Sequence, residues 1–162
     1  MPYQGKAGVS ADDGNGARLA TQHLLDLGHQ RIAYLHGYED HPLMHSRLAG
    51  YREALLAEGI TPQRSWARRL RGRYDTGARF SSEGRKNMKL WLRDGWREAG
   101  FTALLCHNDE VALGAIAALS EAGIRVPQDV SVVGFDGIFG DGSARCARAR
   151  NPTRAGDGLR FH

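Results

Sequence analysis

Cysteine is scarce: the 162 residues contain two, Cys106 and Cys146. So few cannot form a disulfide framework, and they fit a reducing cytosol, so a cytoplasmic location is expected. Long apolar runs are also missing. The longest, Val111 to Leu119, is broken by Gly114 and falls short of the roughly 20 residues a bilayer-spanning helix needs. The opening Met1-Pro2-Tyr3-Gln4-Gly5-Lys6 has no apolar stretch of the secretion-signal kind, so no membrane partner is expected. Catalytic signatures are lacking too. There is no GxSxG, P-loop or HExxH, and Gly14-Asn15-Gly16 has neither the third glycine nor the preceding strand of a dinucleotide fingerprint. Cys106, His107 and Asn108 cannot converge as a hydrolase set, because neighbouring strand residues point to opposite faces. His36, His41 and His45 lie close in sequence with Glu39 and Asp40, but a helix only begins there and cannot yet align metal ligands. These residues imply no enzyme, no metal site and no cofactor.

What is present is ordinary for a globular chain: 41% hydrophobic and 25% charged residues, enough for one modest domain or pieces of two. The net charge of +4 invites a nucleic-acid reading, but its distribution opposes one. From Gly140 onward five arginines stand against Asp141 and Asp157, so the segment before it is almost neutral. A DNA-reading groove needs its charge on a folded face, not in a tail.

Helices alternate with short apolar strands, which predicts an α/β fold with a parallel sheet and right-handed crossovers. A first helix is predicted from Asn15 to Leu27, with Ala17, Ala20, Leu24 and Leu27 on one face, Asp12 or Asp13 as cap, and a left-handed Gly28 at its end. Ile32 to Leu35 reads as a buried strand stopping at Gly37. The second helix follows Pro42 and Ser46, with Leu48, Tyr51 and Leu55 as its stripe and Gly59 closing it. Ser65 to Arg71 should supply a strand, although Trp66-Ala67-Arg68-Arg69-Leu70 is poor strand material. A helix from Ser82 to Arg93, a strand from Phe101 to Cys106, a helix from Asp109 to Ala122 and a strand from Val130 to Phe135 complete the pattern. Beyond Gly140 there is no periodicity, and the chain has no internal repeat.

Three segments carry a family resemblance. They are Gly16-Ala17-Arg18-Leu19-Ala20 running on to His29-Gln30-Arg31-Ile32-Ala33; Arg47-Leu48-Ala49-Gly50-Tyr51-Arg52-Glu53-Ala54-Leu55; and Thr102 through Asn108-Asp109 and Gly123 to Val132-Val133-Gly134-Phe135-Asp136. In this order and spacing they resemble the LacI/GalR (lactose-repressor) transcription regulators over roughly residues 9 to 137. That family joins a helix-turn-helix headpiece to a two-lobed, periplasmic-binding-protein-like core that closes on a small ligand, often a sugar or nucleobase. The resemblance implies that residues 1-29 are a remnant of the first lobe, that 30-138 form the second lobe, and that 139-162 are an irregular tail. It implies a sugar-type effector and a homodimer as partners. Operator DNA would be reached only through the headpiece, which has no counterpart here. Where the family continues into a proline, a leucine and paired threonines, Gly137 to His162 instead resembles a GC-rich gene read in another frame. A truncated, frameshifted fragment is therefore expected. A transporter's sugar-binding protein and an α/β enzyme acting on a sugar or nucleoside are the rival readings.

In open α/β sheets, ligands bind outside the carboxyl ends of the strands. Asn108 and Asp109 follow one strand and Asp136 another, where a carboxylate can accept from vicinal hydroxyls and an amide can donate and accept. Asp109 is expected to cap the helix that follows it. Asn108 and Asp136 match ligand-contacting positions of the family, and Arg47 matches its ligand-binding arginine, whose fork of donors suits paired hydroxyls. Tyr74 falls where some relatives place an aromatic ring against the ligand. Asn15 is a further candidate, reaching the cleft from the first lobe.

Overall fold

The computed structural model describes residues 12–38, 42–71 and 80–135. Helix α1 spans Asp13–Asp26, strand β1 Ile32–His36 and helix α2 Pro42–Ala57. A 3-10 turn, Arg64–Trp66, leads into strand β2, Ala67–Arg69. Helix α3 (Phe80–Arg93), the short α4 (Trp96–Ala99), strand β3 (Ala103–Cys106), helix α5 (Asp109–Glu121) and strand β4 (Ser131–Val133) follow. The strands are all parallel, in the order β2-β1-β3-β4, with Tyr34 opposite both Ala67 and Leu105.

This order contains one reversal. The chain steps from β1 outward to β2, then crosses back over β1 to β3 and on to β4. Right-handed crossovers running in opposite directions put α2 on one face of the sheet and α3 and α5 on the other. The topological switch lies between β1 and β3.

Each face is covered by a helix pair, α1 on α2 and α3 on α5. Glycines set how closely each pair approaches. A Cβ on Gly50 of α2 would strike the Gly14 carbonyl of α1, and one on Gly114 of α5 would strike the Ser81 carbonyl of α3. Leu24 of α1 lies in the same core as Ile32, Tyr51, Leu55, Leu104 and Leu105, so α1 shares the hydrophobic interior of the elements that follow it. A second link runs through His29. Its Nδ1 lies 2.9 Å from Thr102 Oγ1 and its Nε2 3.1 Å from Ser131 Oγ, tying the end of α1 to the starts of β3 and β4.

Most expected elements are present. Asp12 caps α1 by accepting from Asn15 N at 3.0 Å, and Gly28 and Gly59 follow their helices with positive φ. The strand expected over Ser65 to Arg71 is reduced to three residues at the sheet edge. The last strand ends at Val133 rather than Phe135, and α3 begins two residues earlier than predicted. Helix α4, framed by left-handed Gly95 and Gly100, was not anticipated. It presents Trp96, whose ring centroid lies 4.9 Å from that of Phe101 and 5.2 Å from that of Trp91.

Candidate ligand-binding site

The switch point predicts a crevice at the carboxyl ends of β1 and β3. There the chain turns at Gly37 after β1 and at His107-Asn108 after β3. Gly37 is needed because a Cβ would press on the Met44 sulfur and come within 3.0 Å of His107 Cε1. Its absence lets both side chains close over the end of β1. Phe80, at the start of α3, stands 6.1 Å from the His107 ring, so aromatic surface borders this end of the sheet.

Arg47 reaches the same place from the second turn of α2 and is 8% exposed. Its Nη1 donates to the His107 carbonyl at 2.7 Å. Its Nε donates to Asp13 Oδ1 at 2.7 Å, and Nη2 lies 2.6 Å from the same oxygen. The guanidinium carbon sits 4.2 Å from the centre of the Phe135 ring. Gly16 makes room for that ring, since a Cβ there would stand 3.0 Å from Phe135 Cζ. The cation is thus held by helix α1, the loop after β3 and the loop after β4 together.

Asn108 is next to the carbonyl that Arg47 grips. In an extended conformation it caps α5, accepting from Val111 N at 2.8 Å through Oδ1. The amide oxygen is therefore committed to the helix, and Nδ2 is the group left to donate to a ligand. The expectation that Asp109 is the cap is corrected: Asp109 is the first helical residue, its N–H donates to Phe135 O at 2.9 Å, and its carboxylate packs on Gly134. Asn108 wins because its own extended backbone aims its side chain at the free amides of the first turn.

Of the expected site residues, Arg47 thus holds the carbonyl of the residue before Asn108. Asn15 stands on the exposed side of α1, where Oδ1 accepts from Arg18 Nε at 3.2 Å and Nη2 at 2.8 Å. Asp136 and Tyr74 lie outside the described residues. Asp13 was missed from the sequence. The available clue was that a buried arginine needs a buried anion, and that of the pair Asp12-Asp13 only one can cap the helix.

Two further titratable groups belong to β1, Tyr34 and His36, with ring centroids 5.6 Å apart. Tyr34 of β1 is 1% exposed, and its hydroxyl has no hydrogen-bond partner among the described residues. Burial pushes its ionisation far up, with the Arg47 charge opposing and Asp13 assisting, so it stays a neutral donor. Burial likewise pushes the His36 imidazole down to about 4, helped by nearby Arg69 and Arg52, and keeps it uncharged at neutral pH.

Comparison with known proteins identifies the domain. The model of the periplasmic binding protein-like domain matches residues 21–145. The HTH-type transcriptional regulator AscG of Escherichia coli K12 is 39% identical over 120 residues, covering 74% of this chain and 32% of AscG. A sugar-binding LacI-family regulator from Escherichia coli, solved with phosphate, has a TM-score of 0.70 at 37% identity, over 81% of this chain and 44% of that one. A LacI-family regulator from Enterococcus faecium with bound ribose has a TM-score of 0.62 at 32% identity, over 79% of this chain and 43% of its own. The chain spans about a third of the length of the curated relatives it matches. By sequence, sheet order and structural likeness, the chain belongs to the periplasmic binding protein-like domains, in the form carried by LacI/GalR transcription regulators.

Proposed function

We propose that this chain is the effector-sensing lobe of a LacI-type transcription regulator, that its ligand is a sugar, and that it has no catalytic activity. One observation carries the reading: a buried arginine, anchored on the His107 carbonyl and adjacent to Asn108, at the carboxyl ends of the two strands that flank the topological switch. A sugar would take hydrogen bonds from Arg47 and Asn108 and lay an apolar face on the rings of Phe80, Phe135 or Tyr74. Asp136 would accept from its hydroxyls, and Asn15 would serve from the rim. The Enterococcus faecium relative with ribose supports a sugar ligand by analogy.

On this reading, residues 30-138 form one lobe, and α1 joins it through the shared core. A cytoplasmic location and pairing with a second copy are part of the same reading. Operator DNA would be met by a headpiece, not by this lobe. The lobe would act by binding its effector unequally in two arrangements of the regulator, since a ligand shifts an equilibrium only by its differential affinity.

The test is calorimetric titration of the chain with a panel of pentoses, hexoses and disaccharides. At least one should bind, and Arg47→Gln should weaken that sugar about tenfold or more, the loss of a charged hydrogen bond worth ~1.5–3 kcal/mol. Turnover of any panel member, or binding indifferent to Arg47, would reject the proposal.

A further inference from the structure

The Arg47 charge is already answered inside the protein. Among the described residues, the buried formal charges are Asp13 and Arg47, and they cancel. From this we infer that Asp13 is a specificity-determining residue, which neutralises Arg47 so that the site accepts uncharged hydroxyl-bearing ligands and rejects anionic ones such as phosphorylated sugars. The inference rests on the sensor reading for its site but concerns a residue that reading does not use.

An anion entering this crevice needs either an uncompensated cation or open backbone donors. Neither is offered. Both nitrogens on one edge of the Arg47 fork converge on a single Asp13 oxygen, and the remaining Nη1 is spent on the His107 carbonyl. Several amides at the starts of α1 and α5 are taken as well. Asn15 N is taken by Asp12, Val111 N by Asn108, and Asp109 N by the Phe135 carbonyl. Each of these first turns also carries acid: Asp13 on α1, Asp109 and Glu110 on α5. Incoming negative charge would therefore meet carboxylates where helix dipoles would otherwise welcome it. His36, at the end of β1, is kept neutral by burial and adds no cation at neutral pH. Arg52 and Arg69 face it from outside the buried set, where water and salt screen them.

A neutral polyol faces none of these obstacles. It can share Arg47 with Asp13, because a hydroxyl donates to the carboxylate while accepting from the guanidinium. Asn108 Nδ2 supplies another donor, and the aromatic surface around His107 suits an apolar sugar face.

The experiment measures binding of ribose, ribose 5-phosphate and inorganic phosphate to the unaltered chain and to Asp13→Asn, with Asp13→Glu as the charge-conserving control. The unaltered chain and Asp13→Glu should bind neither anion in an Arg47-dependent way. Asp13→Asn preserves an acceptor for Arg47 Nε but removes the carboxylate charge beside it, and should gain at least tenfold in phosphate affinity. That gain should vanish in Asp13→Asn combined with Arg47→Gln. Phosphate binding to the unaltered chain that Arg47→Gln abolishes, or an Asp13→Asn variant with no gain, would overturn the inference. Should Asp13→Asn fail to fold, the unaltered chain decides alone: Arg47-dependent phosphate binding rejects the idea, and its absence supports it. If no sugar on the panel binds the unaltered chain, the sensor reading falls, while the phosphate comparison still reports on Asp13.

Discussion

At the amino ends of the strands, His29 joins Thr102 to Ser131 through hydrogen bonds between neutral groups, whereas at the carboxyl ends Arg47 and Asp13 meet as full charges. Both arrangements bury polar atoms between elements distant in sequence. The neutral one stays satisfied by itself: each ring nitrogen has a hydroxyl that can donate or accept as the tautomer requires. The charged one carries a desolvation cost that its own attraction barely offsets. A protein that needed only a staple could have used the first kind twice. On the sensor reading proposed above, the second kind sits where the ligand would bind, an arginine that could share its donors between Asp13 and a hydroxyl.

The comparison breaks most visibly at Arg47. Arg47→Met strands the Asp13 carboxylate and should cost about 3–5 kcal/mol in urea denaturation, while Arg47→Met with Asp13→Leu should recover most of that loss. If the double variant is no better than the single, the ion pair is not the source of the cost. His29→Leu should cost less, about 1–2 kcal/mol by the same measurement, through the loss of its hydrogen bonds to Thr102 and Ser131.

Burial lowers the affinity of His29 for a proton, so it is neutral when folded and readily protonated when unfolded. Its stabilising contribution is complete above about 6.5 and is lost as pH falls below that value; His36 acts the same way down to about 4. His29→Leu should therefore flatten the acid limb of a stability–pH curve, and an unchanged limb would assign that limb to other groups. The smallest effect belongs to Arg125. It holds Asp129 through three hydrogen bonds, but in full contact with water, so Arg125→Ala should leave the melting temperature unchanged within error.

The same contrast explains what is legible in the sequence. Helices α1, α2 and α5 were legible because their apolar residues fall on one side and a glycine stops each of them. Strand β1 was legible as an uninterrupted apolar run. Strand β2 was barely so, since an edge strand needs its backbone to pair with β1 and asks little of Ala67, Arg68 and Arg69. Helix α4 is four residues long, too short for any period to show. At the site, Arg47 and Asn108 were reached through family likeness, but Asp13 was not. Its role depends on a partner 34 positions away, and local sequence cannot tell which of two adjacent aspartates will cap and which will pair. Asn108 was named as a ligand contact, and its second duty as the α5 cap came only from its backbone angles.

The glycine seams between α1 and α2 and between α3 and α5 have a mechanical consequence. Where main chain rests on main chain there is no pliable side chain to absorb a push, so a load on one helix passes nearly whole to its neighbour. Each face of the sheet therefore behaves as a stiff plate, and a displacement of one helix has to be taken up at the borders of its pair, not within it.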